Sequence, residues 1–178
     1  MVIGTVSVLR SWKGHALLLK AISLVESPID FKCVIVGSGP QEGAIRDLLD
    51  RYELQDKVTL LGHHESVADI LPTFDIFVFM SLRNEGIPQS LLQAMAAGLR
   101  IVSCDIPEAI ETLNGYHNYT LFSSGNERSL RDVISKEILR PDVLSYRRVA
   151  SIPYEWTDTF EKTMEVYKNA DQRKYHHT

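Results

Sequence analysis

Six short apolar runs, separated by amphipathic stretches, constrain this chain more than any other feature of its sequence. The runs cover residues 2–9, 31–36, 57–61, 75–80, 100–104 and 119–122, the last being the weakest. Between them, HALLLKAISLVE, QEGAIRDLLDRYEL, SVADILPTF, QSLLQAMAAG and PEAIETL repeat apolar residues at helical spacing. Pro40 is expected near the first position of its helix, where a missing N–H costs nothing. Pro88 is expected to start the next one and Gly98 to end it as a C′ residue. From about Glu127 the chain reads as helical, closing on the amphipathic segment WTDTFEKTMEVYKNA. Continuous apolar strands alternating with helices imply a parallel sheet covered on both faces. The expected fold is therefore α/β, a Rossmann-like doubly wound parallel sheet of about six strands, which binds ligands beyond the carboxyl ends of its strands.

Composition narrows the function classes. At 178 residues, with 44% hydrophobic and 24% charged residues, the chain fits one soluble domain with a tail. A formal net charge of -4 gives no support to nucleic acid as a partner. Cys33 and Cys104 both fall inside apolar runs and are expected to be buried free thiols. The pairs His63-His64 and His176-His177 lack the further ligands a zinc site needs, so no metal and no cofactor is expected. No apolar stretch reaches the ~18 residues of a membrane span, and the N-terminus lacks the charged-then-apolar order of a secretory signal. A cytoplasmic location is the resulting expectation.

In such a fold the residues after each strand should carry the function. After the first run come Arg10, Ser11, Trp12, Lys13 and Gly14, two cations beside a glycine and a helix start. That combination suits a diphosphate, and on composition alone it suits a solvated loop equally well. After the second comes Gly37-Ser38-Gly39-Pro40, where glycines either admit a ligand or simply tighten a turn. The dinucleotide fingerprint GxGxxG is absent there, against a dehydrogenase. His63 and His64 follow the third run, at the ligand edge or merely exposed. After the fourth, Glu85 precedes Gly86, Ile87 and Pro88. Glu85 suits sugar hydroxyls, and the N–H groups of Gln89, Ser90 and Leu91 suit an anion. Gln93 falls about a turn into the same helix. A bland loop glutamate is the alternative. No Ser-His-Asp order or P-loop is present, so the site reads as a binder of a nucleotide sugar.

Taken in order, these segments resemble the C-terminal domain of the group 1 family of retaining glycosyltransferases with the GT-B fold. The resemblance runs from about Val2 to Tyr167 and is carried by VSVLRSWKGHALLLKAI, FKCVIVGSGPQEGAIRDLL, DKVTLLGHHESVADILPTFDIFVFMS and, most specifically, NEGIPQSLLQAMAAGLRIVSCDIPEAIE. It implies that Lys13 holds the diphosphate of a nucleotide-diphosphate sugar. The partner arginine of the family usually lies five residues earlier, where this chain has Val8, and Arg10 is the nearest candidate. In the E-x7-E motif Glu85 matches the residue that contacts the donor sugar, while Gln93 stands where the ribose-binding glutamate would be. Catalytic roles are thus expected for Glu85, Lys13 and Arg10. Donor-binding roles are expected for Gly37, Gly39, His63, Gly86, Ile87, Pro88, Gln89, Ser90, Leu91 and Gln93.

The resemblance also implies an N-terminal acceptor-binding domain, nothing of which is recognisable in this chain. The expected division is a nucleotide-sugar-binding domain over residues 1–155 and a closing helix and tail over 156–178. Trp156, Phe160, Met164 and Tyr167 of that helix would normally cross to the first domain. Transfer to an acceptor hydroxyl with retention, in polysaccharide or glycolipid synthesis, is the implied activity. Peripheral membrane association of the whole enzyme is compatible with it. The alternative is a module of the same fold that binds nucleotide sugars without catalysis.

Overall fold

The computed structural model describes residues 1–83 and 86–140. Six strands, β1 (Val2–Val6), β2 (Lys32–Val36), β3 (Val58–Gly62), β4 (Ile76–Phe79), β5 (Arg100–Cys104) and β6 (Tyr119–Phe122), form one sheet in the order β3-β2-β1-β4-β5-β6. Every neighbouring pair is parallel. The helices are α1 (His15–Ser23), α2 (Glu42–Arg51), the short α3 (Val67–Ile70), α4 (Gln89–Ala96), α5 (Pro107–Thr112) and α6 (Glu127–Ile138). Strand order runs outward from β1 in one direction and then, from β4, in the other. Right-handed crossovers therefore place the first helices and the later ones on opposite faces. Accordingly α1 packs beside α2 and α4 beside α5, while α6, which follows the last strand and is no crossover, packs against α1.

The apolar runs fold as strands because their side chains are needed on both faces. Every residue of β4 and β5 is buried. Cys33 and Cys104 are buried free thiols in β2 and β5, as expected. Among the boundaries that differ from the sequence expectation, two bear on the site. Regular β1 ends at Val6, yet the chain stays extended to Leu9, with Ser7 N–H on the Val36 carbonyl and Leu9 N–H on that of Ser38. Pro40 is not at the helix start. Gln41 donates to the Leu9 carbonyl and Glu42 to that of Gly39, which holds a turn there and delays α2 to Glu42.

Helix ends follow local chemistry. The segment after β3 changes from α3 to a 3₁₀ turn over Leu71–Thr73, where Pro72 has no N–H to continue an α-helix. Gly98 does close α4: its N–H bonds the Met95 carbonyl and that of Leu99 bonds Ala94, the paired pattern of a Schellman end. The Asn126 side chain caps α6 by accepting from the N–H groups of Arg128 and Ser129. The expected division at residue 155, the closing helix and the tail histidines lie outside the described residues, as does Glu85.

Candidate nucleotide-sugar site

The sheet reverses its winding between β1 and β4, so the loops leaving these two strands diverge and open a crevice. A cavity of about 440 Å³ occupies this point. Its walls come from four loops at the carboxyl edge and from the first turn of α4.

One wall is the segment between β1 and α1, which contributes Ser7, Val8 and Lys13. Its path depends on Gly14, which has φ 75° and caps α1. A Cβ there would come within 2.4 Å of the Met80 carbonyl. Only glycine lets the helix start against the end of β4. The same junction is tied by Leu82 N–H donating to the Trp12 carbonyl at 2.8 Å and by the buried Ser81 hydroxyl donating to it at 3.4 Å. Lys13 thereby reaches the cavity from a half-buried position. Arg10 does not. It is exposed, and its guanidinium lies 5.2 Å from the centroid of the Trp12 ring, a cation–π contact away from the cavity. Val8 is 53% exposed and puts an apolar surface on the cavity wall.

The second wall combines Val36, Gly37 and Ser38 with His63, His64 and Val67. Gly37, at φ 136°, is required by the chain itself, because a Cβ would lie 1.9 Å from the Ser7 carbonyl. Gly39 also packs on Leu9, whose carbonyl would lie 2.6 Å from a Cβ, and is not part of the lining. The close approach that these glycines permit is therefore between two loops of this chain. His63 and His64 are exposed at the rim, and Nδ1 of His64 lies 3.0 Å from the Ser66 carbonyl.

The third wall is the start of α4, with Ile87, Pro88, Gln89, Ser90 and Gln93 all lining the cavity. Pro88 caps the helix without a side-chain hydrogen bond. The first N–H groups of a helix have no intrahelical partner, and those of Gln89 and Ser90 open this one. Leu91 departs from the expectation: its side chain is fully buried and its N–H donates to the Pro88 carbonyl at 3.0 Å. Gly86 is exposed and does not line the cavity. Gln93 is exposed, one turn in, on the cavity side.

Two residues here carry no expectation from the sequence: Ser7, which lines the cavity, and His15, which does not. Ser7 Oγ lies 2.9 Å from Nε2 of His15, the first residue of α1. His15 is only 3% exposed. Its pKa falls to about 4, first because burial disfavours the charged ring and second because the Lys13 ammonium is near. Nothing in the spacing of Ser7 and His15 marks them as partners, since the contact depends on how the loop between them folds. The resulting site has one lysine, a helix N-terminus, hydroxyl and amide donors, and apolar walls. It can hold an anion at one end and a flat or apolar group at the other.

A family model described as "Glycosyl transferases group 1" matches residues 1–138. The putative glycosyltransferase EpsF of Bacillus subtilis is 39% identical over 113 residues, 62% of this chain and 29% of its own length. The phosphatidylinositol N-acetylglucosaminyltransferase GPI3 subunit of Saccharomyces cerevisiae is 30% identical over 167 residues, 88% of this chain and 36% of its own. Among solved structures, HepE of Anabaena, crystallised with UDP and glucose, superimposes with a TM-score of 0.81 at 19% identity, over 94% of this chain and 48% of its own. That last likeness is one of fold, and it matches the sheet to one half of a GT-B enzyme. The chain spans about a third of the length of these curated relatives and about half that of the solved one. With the family model covering residues 1–138, most of the chain, this chain belongs to the group 1 glycosyltransferases.

Proposed function

We propose that the cavity binds the nucleoside diphosphate of a sugar nucleotide and that this chain forms the donor-binding part of a retaining glycosyltransferase. The observation that carries the reading is that Lys13 and the start of α4 face one crevice at the switch point. Solved structures of HepE with UDP and with UDP-glucose, which share this fold, support it. In the transfer, the bond from the anomeric carbon to the diphosphate oxygen breaks. A bond to an acceptor hydroxyl oxygen forms, and that hydroxyl gives up its proton. Negative charge grows on the departing diphosphate, so a fixed ammonium and fixed N–H groups beside it lower the barrier. By family resemblance Glu85 is assigned to the donor sugar and Gln93 to the ribose, and a further domain supplies the acceptor, in polysaccharide or glycolipid synthesis.

Lys13→Ala tests the reading. It should weaken nucleoside diphosphate binding by ~1.5–3 kcal/mol, the size of a charge-assisted contact, and leave nucleoside binding nearly unchanged. Equal loss for both ligands in calorimetric titration refutes the assignment. A second reading, a binding module without transfer, is favoured by Val8, which puts an apolar side chain where the family has arginine. Release of free nucleoside diphosphate from a bound sugar nucleotide separates the two: tight binding without release supports the module.

A further inference from the structure

Ser7 and His15 lie within the segment VSVLRSWKGHALLLKAI without a role assigned to either by the resemblance, and they form a part-buried polar contact where Ser7 lines the cavity. Ser7 leaves β1 at the switch point with its N–H held by the Val36 carbonyl, and the residue lines the cavity. Its Oγ shares a 2.9 Å hydrogen bond with His15 Nε2, while Nδ1 of the same ring is buried without a partner. The ring is uncharged at neutral pH because burial and Lys13 both disfavour its cation. A neutral imidazole has one N–H and one bare nitrogen, so two tautomers are open.

They differ in what Ser7 shows the cavity. With the proton on Nδ1, a buried N–H is stranded beside the positive start of α1, and Ser7 must give its own proton to Nε2. With the proton on Nε2, the stranded group is a lone pair in that positive surrounding. Ser7 then accepts from the ring and keeps a free O–H. Helix N-termini favour negative partial charge, and stranded buried donors are rarer than under-used acceptors. Both arguments select the second tautomer.

We propose that Ser7 is an anion-binding residue of this cavity, and that His15 is a positioning residue which, by donating to Ser7 Oγ, turns the hydroxyl proton toward a ligand phosphate oxygen. The inference rests on the nucleoside diphosphate reading and adds a neutral donor to it. It also suits a wall on which Val8 offers neither charge nor hydrogen bond. Lys13 supplies the charge and Ser7 a directed proton on the same side of the crevice.

The test is calorimetric titration of the chain with UDP, GDP and ADP and with the three nucleosides, followed by variants on whichever diphosphate binds. Ser7→Ala should lose roughly tenfold in diphosphate affinity and little in nucleoside affinity. Ser7→Thr, which keeps the hydroxyl, should retain most of it. His15→Leu should cause the same selective loss, His15→Gln should restore it through its amide N–H, and His15→Leu should cost nothing further once Ser7 is alanine. Parental diphosphate affinity in Ser7→Ala, or equal loss for nucleoside and diphosphate, overturns the proposal and leaves the pair a purely structural tie between β1 and α1. If His15→Leu does not fold, the contrast of Ser7→Ala with Ser7→Thr decides alone. A parent that binds no nucleoside diphosphate removes the underlying reading, and the inference with it, before any variant is compared.

Discussion

At the scale of single residues, the site depends on side chains whose charge state is set by their surroundings. His15 has an unfolded pKa of about 6.5 and a folded one of about 4. Between these values the unfolded chain binds more protons, so stability is complete above pH 6.5 and falls as pH drops toward 4. The full loss from this residue is about 3 kcal/mol. Thermal melts from pH 7 to 4 should therefore show a smaller acid-side decline in His15→Gln than in the parent. An identical decline would mean that His15 is not the group that titrates. Gln93 tests a departure from the family. It is exposed on the cavity side of α4, so Gln93→Ala should cost nucleoside and nucleoside diphosphate alike about 0.5–1.5 kcal/mol of binding. Unchanged affinity for both would make residue 93 a spectator of the helix surface.

At the scale of elements, α6 is held to the sheet by a buried charge rather than by apolar packing alone. Glu137 is 1% exposed and accepts from Thr120 Oγ1 at 2.7 Å. Arg100 Nη1 lies 3.4 Å from its carboxylate and donates to its backbone carbonyl at 2.9 Å, and Arg140 approaches to 3.3 Å. The network joins the starts of β5 and β6 to the last turn of α6, at the end of the sheet opposite the cavity. Removing the carboxylate breaks the buried ion pair with Arg100 and the Thr120 hydrogen bond at once, so Glu137→Ala should destabilise by about 3–5 kcal/mol. The double change Arg100→Leu with Glu137→Leu should recover much of that loss. Urea unfolding midpoints at constant slope measure both. A double variant no better than Glu137→Ala would mean that the site needs the charges themselves. Ligand affinity should be unchanged throughout, because the network lies away from the crevice.

At the scale of the whole molecule, ligand binding and folding are linked. A nucleotide at about 100 times its dissociation constant adds about 2.7 kcal/mol of stability, which in a domain of this size raises Tm by about 5–10 °C. A thermal-shift panel of UDP, GDP, ADP and their sugars should show such a rise for one base. No rise with any of them would count against a nucleotide site. The architecture behind this expectation was legible in the sequence: the apolar runs at 100–104 and 119–122 became β5 and β6 with the same bounds. The rule that function follows strand ends pointed to Lys13 and the start of α4, and both line the cavity at the carboxyl edge. These features are local, set by hydrophobic period, by the proline and glycine at the ends of α4, and by strand order. Other features depended on loops meeting in space. Gly37 is needed because Ser7 passes beneath it, Arg10 turns away because Trp12 offers its ring, and Leu91 gives its N–H to Pro88 because the helix tightens at its first turn. The Ser7–His15 pair belongs with these. Periodicity determines which residues face a sheet or a core. Which polar atoms meet at hydrogen-bond distance is set by backbone paths several residues long, and only the tertiary structure decides them.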